Sequence, residues 1–236
     1  MTRPTVRFWD SAGTMPAIVE KCVASLRLQN PHHIVVLLTD DNTDKWVKEW
    51  PSEPFESVQK KSNWVRLNCL MLYGGVWMDA SSFATSPVES WVDPDPSRVT
   101  VFCLRNNEDV YTNWAIGSPT PRHPIITEWV NRLRQAHARG PLNFVATAFD
   151  GRPGLKERWG TASLPYFWCH LALQCLLYDD PSLAAGLLVR RSRDGPLHRS
   201  DIHNTCGTGE VDSERHANHV YTAHDLATRP LRYEDR

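Results

Sequence analysis

Apolar positions along this chain switch repeatedly between strand-like and helix-like spacing. Residues 6–10 read as a strand, and Ser11-Ala12-Gly13-Thr14-Met15-Pro16 as the loop leaving it. Ile18, Val19, Cys22, Val23 and Leu26 then recur at helical spacing until Asn30-Pro31 stops the helix. Ile34-Val35-Val36-Leu37-Leu38 is unbroken and β-branched, which predicts a parallel strand buried on both faces. A short helix is expected over 44–50, ended by Pro51. Val58, Val65, Cys69 and Leu72 mark one buried face of a longer helix, and Gly74-Gly75 suits its C-terminus, where positive φ is needed. Val76-Trp77-Met78 is a strand running into Asp79-Ala80-Ser81-Ser82. Further strands are predicted over 99–104 and 114–117, an amphipathic helix over 124–138, a turn-rich loop over 151–160 and a buried helix over 165–178. From Arg190 the chain is polar, with five of its ten histidines between His198 and His224.

Alternation of strand and helix with short connections predicts an α/β domain whose mixed, mostly parallel sheet is flanked by helices. Ligands of such sheets bind beyond the carboxyl ends of the strands, where Asp10, Asp40 and Asp79 each fall. With 236 residues, 41% of them hydrophobic and 22% charged, the chain has the composition of one globular domain. A formal net charge of −1 argues against a nucleic-acid module, which carries a basic surplus. No apolar run reaches the roughly 18–20 residues of a membrane span, and the N-terminus lacks a signal core. Six cysteines without CxxC pairs suggest buried free thiols in a reducing compartment, so a cytoplasmic location is expected. Ten tryptophans are read mainly as core, although an indole also suits sugar and base faces, and Trp9 is the one expected to line a site.

The densest candidate chemistry lies in Ser62-Asn63-Trp64-Val65-Arg66 followed by Leu72-Tyr73-Gly74-Gly75-Val76-Trp77-Met78-Asp79-Ala80-Ser81. Asn63 and Arg66 are three apart on a helix and share a face. Asp79 emerges at a strand end, where a metal ion or a ribose could sit. A carboxylate there with an arginine nearby matches what a nucleoside diphosphate-sugar requires.

These residues resemble the sugar-binding region of DXD-motif glycosyltransferases, and more closely that of capsular polysaccharide synthesis proteins, whose version ends G-G-[IV]-W-x-D-A-[TS]. Further landmarks follow in order. Arg7-Phe8-Trp9-Asp10 looks like the family's aromatic first strand, and Ser25 through Pro31 like its S-x-x-x-x-N-P helix end. Thr112-Asn113-Trp114-Ala115-Ile116 looks like its N-W strand, and Pro165-Tyr166-Phe167-Trp168-Cys169-His170 like its Y-F-x-x-H helix.

The resemblance implies a single GT-A domain over 1–236, with a nucleotide-sugar half at about 1–85, an acceptor-side half at about 99–190 and a tail over 191–236 closing the site. It implies transfer of a hexose or deoxyhexose from a UDP- or GDP-sugar to a glycan hydroxyl, assisted by Mn²⁺ or Mg²⁺. Asp79 and Ser81 would hold the metal, with His219 or His224 from the tail completing it. Trp9, Asp10, Asn63, Arg66, Ser81 and His170 would hold the donor. An inverting enzyme would need a general base such as Asp109 or Glu108. A retaining one would place Asn113 beside the anomeric carbon, and the mannosyltransferase-like resemblance points to retention. Two positions depart from the family pattern: its aspartate before the arginine is Asn63 here, and the second DXD carboxylate is Ser81. These departures keep open a catalytically idle glycan-binding or scaffold protein. A sugar-nucleotidyltransferase is the other rival, although Ser11-Ala12-Gly13-Thr14 lacks a basic phosphate-gripping character.

Overall fold

The computed structural model describes residues 4–9, 15–104, 107–159 and 165–196. The first strand, β1 (Pro4–Phe8), leads to helix α1 (Ala17–Gln29) and strand β2 (Ile34–Leu38). Helix α2 (Val58–Tyr73) runs into β3 (Gly75–Met78), and β4 (Val99–Leu104) precedes the long β5 (Asn107–Ser118). Helices α3 (Pro124–Arg139), α4 (Pro141–Thr147), α5 (Leu155–Trp159) and α6 (Trp168–Asp179) follow, and β6 (Leu187–Arg190) is the last strand described.

The strands form one sheet in the order β2-β1-β3-β5-β4-β6. β1 pairs parallel with β2 and β3, and β4 parallel with β6, whereas β5 is antiparallel to both its neighbours. Five strands therefore run the same way and β5 alone opposes them, which is the mixed α/β class expected from the sequence. Side chains alternate between the sheet's two faces. Val6, Phe8, Trp77, Val99, Val101 and Ile116 pack in one core with α2, α3 and α6. Val76, Met78 and Phe102 face the other way, against Leu26 of α1 and the 84–91 segment. Each large apolar side chain closed into these cores contributes about 1.5–3 kcal/mol. Trp77, Trp91, Trp129 and Trp168 are among the largest fully buried side chains, so these four tryptophans serve packing.

Several elements differ from the sequence expectation. β2 is an edge strand paired only with β1, so its burial falls off towards Ile34, which is 57% exposed. An apolar run signals a strand but not its rank in the sheet. The expected 44–50 helix is a single 3-10 turn at Thr43–Lys45. The strand at 114–117 extends back to Asn107, and the loop over 151–160 contains α5. α4 and β6 were not anticipated, and α6 begins at Trp168, which leaves Tyr166 outside it. The five cysteines among the described residues are buried and unpaired. Cys206 lies outside the described residues. No helix among them is long and apolar enough to cross a membrane.

The α2–β3 junction fixes the site. Ser57 caps α2 by accepting from the Lys60 amide at 3.3 Å, and Gly74 at φ 63° ends it. Gly75 follows at φ 89°, where a Cβ would stand 2.1 Å from the Pro4 carbonyl oxygen. Two successive left-handed residues let the chain leave the helix and enter β3 directly beside β1. We expect Gly75→Ala to be far more destabilising than Gly151→Ala. Gly151 also has positive φ (71°) but has nothing within 4 Å of its added Cβ. Backbone strain common to both should cost about 1–2 kcal/mol, and the clash with Pro4 should add about 2 kcal/mol or more at Gly75 alone. Urea midpoints of the two variants measure the difference, and equal midpoints would remove the steric role of Gly75.

Candidate functional site

Beyond the carboxyl ends of β1 and β3 lies a cleft of about 460 Å³. Its lining includes Trp9, Asn63, Arg66, Asp79, Ser81, Asn113 and His170, which come from five separate stretches of the chain. Seven of the residues singled out from sequence are thus brought to one place. Asp10, His219 and His224 lie outside the described residues. Asp109 does not line the cleft: it is exposed near the start of β5, four residues and about 13 Å of strand from Asn113. Its neighbour Glu108 pairs with Arg191 at 3.2 Å. Glu108 and Asp109, expected in a loop before Asn113, lie instead in the continuous strand β5, which carries both acidic residues away from the cleft.

Strand alternation explains the centre of the cleft. Trp77 and Asp79 are two apart, so both project towards α2, where Arg66 lies. The Arg66 guanidinium sits 5.2 Å from the Trp77 ring centroid, and its Nη2 donates to Asp79 Oδ1 at 2.5 Å. Trp77 Nε1 donates to the same oxygen at 3.1 Å. Arg66 is almost wholly buried (4% side-chain exposure) and Asp79 partly open (29%). Nε and Nη1 of Arg66 are buried with no hydrogen-bond partner among the described residues. One carboxylate therefore answers one buried cation, and the cation retains unused donors.

Arg7 was not anticipated as a site residue. Placed between Val6 and Phe8 in β1, it points to the opposite face and is completely buried. Its Nη1 donates to the carbonyl oxygens of Ala80, at 3.2 Å, and Ser82, at 2.8 Å. Burial pulls this guanidinium down to about 10, against the opposing pull of Cys22 and Asp79. Arg7 thereby clamps from beneath the segment that carries Asp79 and Ser81. The Asp79 amide donates to the Trp114 carbonyl at 2.7 Å, which extends the β3–β5 ladder to the cleft floor.

Asn113 on β5 donates through Nδ2 to Asn63 Oδ1 at 2.9 Å, both side chains being buried. Sequence reasoning named both residues but not their contact, since one lies on α2 and the other on β5, and only the tertiary fold brings them together across fifty positions of chain. His170 lies on α6 with its Nδ1 buried and unpartnered among the described residues. Burial, reinforced by the Arg66 charge, lowers it to about 3, so this imidazole is neutral near pH 7. Phe167 meets its ring edge-on at 5.0 Å, and Tyr166 stacks edge-on against Phe167 at 4.9 Å. Tyr166 is 59% exposed and lines the rim of the cleft.

The described residues do not by themselves fit a divalent cation. Such an ion takes about six ligands, and the only negatively charged one among the described lining residues is Asp79, already held by Arg66 and Trp77, the remaining polar groups being the neutral side chains of Gln59, Ser62, Asn63, Ser81, Asn113, Tyr166 and His170. Among the described residues no group of three or more His, Cys, Asp or Glu converges.

Fold and site together define an α/β protein with a polar cleft at the carboxyl edge of its sheet, built on a helix–Gly-Gly–strand–Asp unit. A sequence model of the family described as capsular polysaccharide synthesis protein matches residues 8–134, more than half of the chain, and the chain belongs to that family. None of the curated proteins matches it in sequence. Among solved structures it is similar to a "PaToxG Glycosyltransferase", at 12% identity over 78% of this chain and 72% of that one, with a TM-score of 0.49. It is also similar to a glycosyltransferase described as involved in glycosylation of the major capsid of PBCV-1, at 12% identity over 80% and 82%, with a TM-score of 0.38.

Proposed function

We propose that the protein is a glycosyltransferase with a GT-A fold that moves a sugar from a nucleoside diphosphate donor to a glycan hydroxyl. The observation that carries this reading is the Arg66–Asp79–Trp77 cluster, set within the family-matched segment and opening on a cleft of ligand size. Arg66, whose buried Nε and Nη1 have no hydrogen-bond partner among the described residues, suits a diphosphate leaving group. Asp79, partly open to water, can accept from a sugar or ribose hydroxyl. Trp9 and Phe8 offer aromatic surface at the end of β1 for a base or a sugar face.

Transfer breaks the bond between the anomeric carbon and the diphosphate oxygen and forms one to the acceptor oxygen. Retention of configuration is favoured because Asp79 is the only carboxylate among the described residues that lines the cleft, and Arg66 already holds it. An acceptor attacking from the side of the leaving group can pass its proton to the departing phosphate and needs no protein base. Asn113, anchored to Asn63, lies where its amide can face the reacting centre. His170, being neutral, contributes hydrogen bonding and no charge. Tyr166 at the rim offers a ring face for a glycan acceptor.

The test begins with a thermal-shift panel of UDP- and GDP-sugars, since a ligand at a hundred times its Kd adds about 2.7 kcal/mol. The bound donor is then taken into hydrolysis and transfer assays. Arg66→Lys retains the charge but loses the planar fork. We expect it to weaken donor binding by about tenfold or more, because its hydrogen bonds to charged partners are the strong kind. Wild-type KM and kcat in Arg66→Lys would make Arg66 a structural residue, and the absence of any stabilising nucleotide sugar would overturn the reading itself.

A further inference from the structure

Three of the described residues lining the cleft are exposed, Val58, Gln59 and Tyr166, so they mark its mouth. None of them holds the donor in the reading above. Val58 and Gln59 open α2, and positions 59, 62, 63 and 66 have the spacing that shares one helix face. All four of these line the cleft, and all four are polar. The stripe spans about 10.5 Å of helix axis, at about 1.5 Å per residue. Burial rises along it: Gln59 is exposed, Ser62 half-buried, and Asn63 and Arg66 are buried. The inner pair is engaged, Asn63 with Asn113 at 2.9 Å and Arg66 with Asp79 at 2.5 Å. The outer pair keeps its hydrogen-bonding capacity. Ser62 Oγ accepts from Arg66 Nη2 at 3.4 Å, which leaves its own hydrogen to donate. Gln59 brings both an acceptor and a donor to the mouth.

Tyr166 supplies the other kind of surface. It is 59% exposed, yet its ring is held. Phe167 meets it edge-on at 4.9 Å and itself packs against His170 at 5.0 Å and Trp159 at 6.2 Å. An exposed ring anchored in this way loses little freedom when a ligand binds. Val58, 43% exposed, adds apolar surface at the same opening. Charge is confined to the inner end, because Arg66 and Asp79 are the only charged side chains among the described lining residues. The mouth therefore combines an amide, a hydroxyl and one fixed ring, without charge. A pyranose matches that set, having a rim of hydroxyls and an apolar C–H face. A phosphate or carboxylate would call for a cation there, and an acyl chain for a longer apolar groove.

We propose that this mouth is an acceptor subsite for a neutral pyranose, the terminal residue of a glycan. Gln59 and Ser62 bond its hydroxyls, and Tyr166 covers its apolar face. The inference rests on the glycosyltransferase reading above and deepens it. With the diphosphate at Arg66 and the transferred sugar beside Asn63 and Asn113, the next position outward along α2 belongs to Ser62 and Gln59. Donor sugar and acceptor sugar then lie in file along one helix face.

The experiment separates acceptor from donor. Glycan binding is measured on an array of mono-, di- and trisaccharides with neutral, uronate and phosphate termini, in the presence of UDP and GDP, and the best ligand is taken into calorimetry. Nucleotide-sugar binding is measured on the same samples with the UDP- and GDP-sugar panel. The substituted residues are exposed, so the variants should fold. We expect the wild type to bind glycans that end in a neutral pyranose. Tyr166→Ala should weaken that binding about tenfold, the upper range of an aromatic contact, and Tyr166→Phe should restore it. Gln59→Leu should weaken it about threefold or more, the scale of a neutral hydrogen bond. Nucleotide-sugar affinity should not fall in parallel. Equal losses for both ligands would place these residues in the donor site and overturn the proposal, as would variants that bind glycans like the wild type. A preference for uronate or phosphate termini overturns the neutral assignment. A wild type that binds a nucleotide sugar but no array glycan overturns the subsite and leaves the donor reading standing. Failure of both ligand classes overturns both.

Discussion

Asp79→Asn is expected to abolish sugar transfer and also to weaken the fold, by about 2–3 kcal/mol. Breaking a buried ion pair by removing one partner costs about 3–5 kcal/mol, because the surviving charge is left unanswered. Here Arg66 is the buried partner, with 4% of its side chain exposed, whereas Asp79 is 29% exposed, and water moderates the loss. The asparagine can still accept from Trp77 Nε1 through its oxygen, so the variant tests the charge more than the shape. The double variant Arg66→Met/Asp79→Asn serves as the control: once the cation is gone, neutralising Asp79 should cost about 0.5 kcal/mol or less, as for an exposed polar change. Urea midpoints for the four proteins of this cycle give the coupling, and transfer assays on the same samples give the catalytic loss. A coupling near zero would mean that the 2.5 Å contact contributes little. Full activity in Asp79→Asn would remove the carboxylate from the mechanism.

That cluster was legible in the sequence because its encoding is local. Asn63 and Arg66 share a helix face by spacing, Gly74-Gly75 turns the chain, and the period of a strand sets Trp77 and Asp79 on one side. What the sequence did not disclose depends on sheet order and cross-chain contact. The apolar run of β2 gave no sign that it lies at an edge, since edge and centre are decided by which strands arrive beside it. Arg7 alternates with Val6 and Phe8 and so reads as a solvent-facing charge. Only the loop from Ala80 to Ser82, folded over it, makes it a buried clamp. The partnership of Asn63 with Asn113 likewise has no local signature. Asp109 was attractive as a base because it stands close to Asn113 in sequence. In an extended strand, four residues carry it out of reach.

Acid sensitivity is the expected consequence of His170. Its imidazole is lowered from 6.5 in an open environment to about 3 in the fold, first by burial and then by Arg66. Between those values the unfolded chain binds a proton at this position and the native chain does not, so stability falls as pH falls. The contribution is intact well above pH 6.5, declines through the window below it and is exhausted near pH 3. Over that window one group acts at about 1.4 kcal/mol per pH unit, which predicts a loss of about 2 kcal/mol on going from pH 7 to pH 5. Asp179, held low chiefly by its hydrogen bond to Arg152, acts in the same direction but only below the ordinary carboxylate range. The 5–7 interval therefore isolates the histidine from it. Urea midpoints at pH 7, 6 and 5 should fall steadily for the wild type, and His170→Gln should flatten that slope whatever its own stability at pH 7. The same substitution removes a neutral ring from the cleft wall, so donor binding should weaken at every pH without a change in its pH profile. An unaltered acid slope in His170→Gln would show that the imidazole titrates normally, and with it that the ring is open to water rather than sealed between Phe167 and Arg66.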